Sequence, residues 1–183
     1  LKRYFRNSNE RVGLITNVGG FSSSRPLNKL EISRRTDILQ SSLALFNDNE
    51  VEILPQTMPP FPWHFGGQQF HNLFVDSEWI KSFCTENNLK ICLDVSHSYL
   101  ACNHLNKSFS QFLDEVLPFT RHLHIADALG VDGEGLQIND GEIDFGLIFE
   151  KIKKTCPGAT WIPEVWQGHE NNGYGLKIAL KRL

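Results

Sequence analysis

The chain has 183 residues, 40% of them hydrophobic and 21% charged, with a formal net charge of −3 and a pI near 6.2. This composition is typical of a globular protein and excludes a disordered tail, a coiled coil and a collagen-like fibre. No apolar run approaches the ~18 residues that cross a bilayer, and the absence of a basic excess argues against a general nucleic-acid binder.

Strand-like and helix-like segments alternate along the chain. Apolar runs that end in polar residues, glycine or proline predict strands at residues 12–17, 51–56, 89–95, 120–126 and 160–166. Apolar residues at helical spacing predict helices at residues 34–46, 77–87, 107–117, 143–155 and 175–183, and Asp76 is the expected N-cap of the second. Residues 57–71 predict a Pro-rich aromatic loop, and residues 130–141 a glycine-rich loop.

This alternation predicts an α/β fold in which crossover helices join parallel strands. Two architectures fit it, an open doubly wound sheet and a (β/α)8 barrel. The segment Gly133-Glu134-Gly135 lies in a loop and lacks a third glycine at the required spacing, so a dinucleotide-binding motif is poorly supported.

The cysteines carry no motif of their own. Cys84, Cys92, Cys102 and Cys156 form no C-x-x-C pair, which argues against a zinc ribbon or a thioredoxin-type site. Their sparse distribution is typical of reduced thiols, and we therefore expect a cytoplasmic protein.

Polar side chains collect at the carboxyl ends of the predicted strands, the edge at which α/β proteins build their sites. Asp94 ends the third strand and His97 follows it, while His124 lies near the end of the fourth strand and Glu164 near the end of the fifth. Because side chains alternate along a strand, Asp94, His124 and Glu164 can all point toward the axis of a barrel and meet at the mouth of that barrel. This oxygen and nitrogen set suits Mn²⁺, Co²⁺, Zn²⁺, Fe²⁺ or Mg²⁺. His97 is either a further ligand or a group that orients Asp94.

The order of several motifs resembles the xylose-isomerase-like TIM barrels, a family of sugar and sugar-phosphate isomerases and epimerases whose relatives include endonuclease IV. The motifs are DVSH at residues 94–97, HLHIAD at 122–127, the glycine loop ending in NDGEIDF, and PEVWQGH at 163–169. The resemblance covers about residues 12–175. The segments PPFPWHFGGQ, ACNH and VDGEGLQI resemble those of a subgroup found beside or fused to N-acetylneuraminate-synthase-like enzymes of surface-sugar biosynthesis.

The resemblance implies four metal ligands on successive late strands, in the order Glu, Asp, His, Glu. Asp94, His124 and Glu164 match the last three, and His97 matches the histidine that accompanies the aspartate. The first glutamate would fall at Leu54, which cannot bind a metal. Glu52 lies two residues deeper, and Gln56 is a neutral substitute at the rim.

The family's epimerases flank the substrate with two glutamates, and here only Glu164 is present at its expected place. We therefore expect a metal-dependent isomerase or epimerase of a sugar or sugar phosphate that works through an enediolate. Glu164 and His97 are the expected catalytic residues. The expected substrate-binding residues are Gln56, Trp63, His64, Gln137 and His169.

Two other functions stay open. A non-catalytic sugar-binding or regulatory barrel is favoured by Leu54. An endonuclease IV-like phosphodiesterase is disfavoured by the net charge of −3 and by the lack of any histidine between Asp127 and His169. We expect a small-molecule sugar as partner, and neither nucleic acid nor a membrane.

The chain is short for this architecture, because a (β/α)8 barrel usually needs ~250 residues. Residues 1–183 are expected to form a single partial barrel that holds only the C-terminal five β/α units, with two unpaired strand edges. The sequence is then part of a longer chain, or two copies complete one another as a homo-oligomer.

Overall fold

The computed structural model describes residues 11–46, 50–62 and 69–183. In chain order the elements are β1 (Val12–Thr16), β2 (Phe21–Ser22), α1 (Lys29–Leu45), β3 (Val51–Pro55), β4 (Phe70–His71), α2 (Ser77–Asn87), β5 (Ile91–Asp94), α3 (Val95–Leu105), α4 (Phe109–Val116), β6 (Thr120–Ile125), β7 (Asp127–Leu129), β8 (Gly133–Leu136), α5 (Phe145–Thr155), β9 (Thr160–Pro163) and α6 (Glu170–Arg182).

Five strands run parallel and lie side by side in chain order. β1 pairs with β3, while β6 lies between β5 and β9. A single bridge between Gln56 and Cys92 connects the two groups. Strand order that follows the chain without reversal is that of a barrel, whereas a doubly wound sheet reverses at its switch point. The predicted parallel α/β arrangement is confirmed.

The hydrophobic core lies between this sheet and the helices that follow its strands. Phe112 and Leu113 of α4 and Ile148 of α5 are almost fully buried, as are Leu93 of β5 and Leu123 of β6. Asp76 caps α2 as predicted, since its side chain accepts hydrogen bonds from the backbone of Glu78 and Trp79.

Several predicted boundaries are wrong. α1 begins at Lys29 instead of residue 34, because Asn28 and Glu31 form a capping box there. α3 is absent from the prediction because Ser96 and Ser98 are buried while Leu105 is exposed, so polar and apolar residues do not follow the helical period. α4 begins at Phe109, two residues later than predicted. α6 begins earlier, at Glu170, and is interrupted by non-helical backbone at residues 171–173.

The predicted glycine-rich loop at 130–141 contains ordered structure, because β7 and β8 form an antiparallel hairpin. Asp127 fixes the base of this segment. Its buried carboxylate accepts the backbone N–H groups of Ala128 at 2.8 Å, Gly141 at 2.9 Å and Ile143 at 3.1 Å. A side chain at Gly141 would collide with the carbonyl of Ala128, so only glycine fits this close approach.

The outer strands leave apolar side chains exposed. Within the described ranges, β1 pairs only with β3 and β9 only with β6. Leu14 on β1 is 45% exposed and Ile162 on β9 is 44% exposed. The two unpaired edges expected from the sequence are therefore present in this part of the chain. None of the helices described is long and apolar enough to span a membrane.

Replacing Asp127 by Asn should lower the free energy of unfolding by about 3 kcal/mol, because an amide N–H₂ then faces buried backbone donors. Urea denaturation measures the change. The exposed Asp37 on α1 provides the matched control, since Asp37→Asn should change stability by less than ~0.5 kcal/mol. Equal stability of the two variants would show that Asp127 does not hold the hairpin.

Candidate metal centre

Three side chains from separate strands converge at the carboxyl edge of the sheet. Asp94 ends β5, His124 lies on β6, and Glu164 directly follows β9. One potential ligand atom from each lies within 4.8 Å of the others. The register explains this, since Asp94 pairs with His124 and His124 pairs with Ile162, while the Glu164 N–H extends the pairing to the carbonyl of Ile125 at 2.9 Å.

Hydrogen bonds hold Asp94 through both its side chain and its backbone. Its Oδ1 accepts the backbone N–H of His97 at 2.9 Å and so caps α3. The hydroxyl of Thr57 accepts the Asp94 backbone N–H at 2.9 Å, and the hydroxyl of Ser98 donates to the Asp94 carbonyl at 2.7 Å. The other carboxylate oxygen, Oδ2, is left to face the cluster.

Gln56, the residue after β3, completes the cluster. Its Nε2 lies 2.9 Å from Asp94 Oδ2 and 3.1 Å from His124 Nδ1. Leu54, where the resemblance placed the first glutamate, is instead buried and packs toward Gly13 of β1. The fourth position beside the cluster therefore belongs to Gln56, two residues later on the same face.

The contacts around His124 cannot all be satisfied while Asp94 and Glu164 are both ionised. A proton on Nδ1 suits Glu164 Oε2, which contacts this nitrogen, but it opposes the amide N–H₂ of Gln56. A lone pair on Nδ1 suits Gln56 but opposes the Glu164 carboxylate. Turning the Gln56 amide over places its oxygen against Asp94 Oδ2 instead.

One additional positive charge, a proton or a metal cation, removes this conflict. With the amide turned over, the oxygens of Gln56, Asp94 and Glu164 and the Nδ1 lone pair of His124 are four neighbouring atoms that can each bind a cation. Oxygen and imidazole donors suit Mn²⁺, Co²⁺, Zn²⁺ or Mg²⁺. The residues present therefore fit a divalent cation.

Burial and mutual charge set the protonation of the cluster. Burial raises the pKa of the Asp94 carboxyl, and the nearby His97 only partly opposes this. Burial alone would raise the pKa of Glu164, but the hydrogen bond and charge of His124, together with Asp94 and His97, lower it overall. For His124, burial lowers the pKa, but the hydrogen bond with Glu164 and the charges of Glu164 and Asp94 together raise it overall.

His97 lies beside the cluster, with its two ring nitrogens facing different partners. Its Nδ1 is 3.0 Å from the carbonyl of Thr57, which can only accept, so Nδ1 carries a proton. That nitrogen lies 3.4 Å from Asp94 Oδ2, and Nε2 lies 3.6 Å from Glu134 Oε2. Of the two alternatives from the sequence, this arrangement favours a role in orienting Asp94.

The remaining predicted binding residues have different surroundings. The Gln137 side chain donates to the carbonyl of Gly175 at 3.0 Å and accepts from the N–H of Ile138, so it connects β8 to α6. His169 is exposed at the start of α6. Trp63 and His64 lie outside the described residues.

Two residues near the cluster, Thr57 and Ser98, had no clear sequence signal. Both form hydrogen bonds with the backbone of Asp94. Ser98 was missed because it lies on α3, which the sequence did not predict. The contact between Glu134 and His97 joins two segments that have no local pattern in common.

A sequence model of the xylose isomerase-like TIM barrel family matches residues 13–183, and the chain belongs to that family. No curated protein sequence matches the chain. This match identifies the family but does not assign the chain to the subgroup linked to N-acetylneuraminate-synthase-like enzymes.

Several solved structures share the fold. A D-tagatose 3-epimerase-like protein is 21% identical with a TM-score of 0.66, covering 93% of this chain and 62% of its own. An L-ribulose 3-epimerase is 12% identical with a TM-score of 0.64, covering 93% and 58%. Endonuclease IV from Thermus thermophilus is 18% identical with a TM-score of 0.56, covering 93% and 61%. The chain thus spans about three fifths of their lengths, and similarity at these identities establishes the fold alone.

Titration with Mn²⁺ should show one binding site that Asp94→Asn and His124→Ala each weaken more than the 10–100-fold typical of outer-shell changes. Asparagine still caps α3, so the first variant should stay folded. Gln56→Ala should weaken binding less, because it removes a neutral ligand. Isothermal calorimetry measures these affinities, with His104→Ala, on the exposed end of α3, as the control. Unchanged Mn²⁺ affinity in Asp94→Asn would contradict a metal centre here.

Proposed function

We propose that this protein is a metal-dependent isomerase or epimerase that acts on a sugar or sugar phosphate through an enediolate. One observation carries the proposal, the convergence of Asp94, His124 and Glu164 on a point that needs an added positive charge. Membership of the xylose isomerase-like family and the epimerases among the structural neighbours support the substrate class.

The cation would be held by Asp94, His124, Glu164 and the amide oxygen of Gln56. A divalent ion at such a site polarises the carbonyl and hydroxyl oxygens of a bound sugar. The side chains of Asp94 and His124 are 4% and 8% exposed, so both would bind a cation from the buried side of the site. The Glu164 side chain is 50% exposed and therefore faces the open side, where a sugar can reach it.

Glu164 is the group proposed to remove the proton next to the sugar carbonyl, since its lowered pKa keeps it ionised. The amide of Gln56 cannot accept a proton from carbon, so it cannot act as the second base. A single base can return the proton to the neighbouring carbon on the same face, which is aldose–ketose isomerisation. Epimerisation needs an acid or base on each face of the sugar. Because Glu164 can act as a base and Gln56 cannot, the site favours isomerisation.

A second function, a non-catalytic sugar-binding or regulatory module, is favoured by the same neutral Gln56. Endonuclease IV has a similar fold, but a nuclease activity is disfavoured here because the loop after Asp127 contains no further histidines. The subgroup linked to N-acetylneuraminate-synthase-like enzymes, the cytoplasmic location and the single partial barrel within a longer chain or homo-oligomer stay predictions. So do the absence of nucleic-acid and membrane partners and the binding roles of Trp63, His64, Gln137 and His169.

Proton exchange in deuterated water tests the proposal. With saturating Mn²⁺ and D-tagatose or L-ribulose, the protein should replace a carbon-bound proton by deuterium, detected by NMR. Glu164→Gln should slow this exchange by about 10²–10⁴-fold, the usual contribution of a positioned base. Glu170→Gln, an exposed change at the start of α6, should leave the rate unaltered.

The other results separate the alternatives. Sugar binding without exchange would favour the non-catalytic module, and incision of abasic DNA would favour the nuclease. Full exchange in Glu164→Gln would contradict the role given to this residue.

A further inference from the structure

The β7–β8 hairpin is fixed against the metal centre on two sides. The Gly135 N–H donates to the hydroxyl of Ser96 in α3 at 3.0 Å, and the Gly135 carbonyl accepts the N–H of Trp166 at 2.7 Å. Gly135 has a φ of 69°, a conformation that favours glycine. The hairpin thus connects the segment after Asp94 with the segment after Glu164, and it presents Glu134 between them.

Glu134 has a carboxylate oxygen that no group within the described residues satisfies. Its side chain is 11% exposed, and its Oε2 is buried without a hydrogen-bond partner. Burial raises the pKa of this carboxyl; the nearby His97 partly opposes this, while the charges of Asp94 and Glu164 add to it. A buried oxygen left without a donor costs stability, so its retention is explained best by a donor that arrives with a ligand.

The imidazole of His97 lies at the same place. Its Nδ1 proton is donated to the carbonyl of Thr57, and its Nε2 lies 3.6 Å from Glu134 Oε2, which is too far for a hydrogen bond. A hydroxyl group suits both neighbours, because it can donate to the carboxylate and can either accept from or donate to a ring nitrogen. An anionic group would be repelled by the Glu134 carboxylate.

We propose that Glu134 Oε2 accepts a hydrogen bond from a hydroxyl group of the sugar, which makes Glu134 a specificity-determining residue of the site. This inference rests on the proposed function and adds to it that a neutral, hydroxyl-bearing part of the ligand lies toward the hairpin. Glu134 acts on the ligand directly and does not touch the three converging side chains.

Calorimetry of the full chain with saturating Mn²⁺ tests this inference, with D-tagatose and L-ribulose as probes. Glu134→Ala should weaken sugar binding about 10–100-fold, the effect of losing a hydrogen bond to a charged acceptor. Glu134→Gln keeps an acceptor oxygen and should therefore lose less sugar affinity than Glu134→Ala. The control is Glu142→Gln, in the same segment, whose carboxylate contacts the Gly130 N–H and the Tyr99 hydroxyl instead.

Two further measurements separate ligand binding from a structural role. Mn²⁺ affinity should be unchanged in Glu134→Ala, and its Tm should equal or exceed that of the unaltered protein, because an unsatisfied buried carboxylate is removed. A lower Tm together with weaker Mn²⁺ binding would assign Glu134 a structural role and overturn the inference.

The remaining outcomes distinguish this inference from the proposed function. Equal or tighter sugar binding in Glu134→Ala, while the unaltered protein binds sugar, would overturn the inference alone. Failure of the Mn²⁺-loaded, unaltered protein to bind either sugar would overturn both.

Discussion

The buried carboxylate of Asp94 is the constraint on which the rest of the site depends. One of its oxygens caps α3, and the other faces His124 and Gln56. Because charge is costly to bury, this carboxylate is stable only with donors or a cation around it. Parallel strands supply these partners, since their carboxyl ends lie at one edge and bring His124 and Glu164 to the same point.

The substitution of an amide for a carboxylate changes what such a site can do. Gln56 contributes an oxygen for a cation but no negative charge and no basic group. Glu164 is then the only partly exposed carboxylate in the cluster. The expected chemistry is therefore proton transfer on one face of a sugar. A non-catalytic binding module would differ from an isomerase only in that Glu164 does not transfer the proton.

The sequence was sufficient to predict the convergence of Asp94, His124 and Glu164, because strand ends and side-chain alternation are local patterns. It was not sufficient to distinguish Leu54 from Gln56 at the fourth position. Both lie on one face of β3, and only the pairing of Gln56 with Cys92 determines which one reaches the cluster. α3 was missed because its buried positions include Ser96 and Ser98, so its polar and apolar residues do not alternate at helical spacing. The approach of Glu134 to His97 depends on a hairpin within a glycine-rich segment, where glycine spacing indicates a loop.

Anomalous diffraction from crystals soaked in Mn²⁺ would locate the cation itself. We expect one strong peak within about 2.0–2.5 Å of Asp94, His124 and Glu164, with the Gln56 amide oxygen turned toward it. A peak elsewhere, or none at these residues while Mn²⁺ is present in millimolar excess, would contradict the assignment of this cluster as a metal centre.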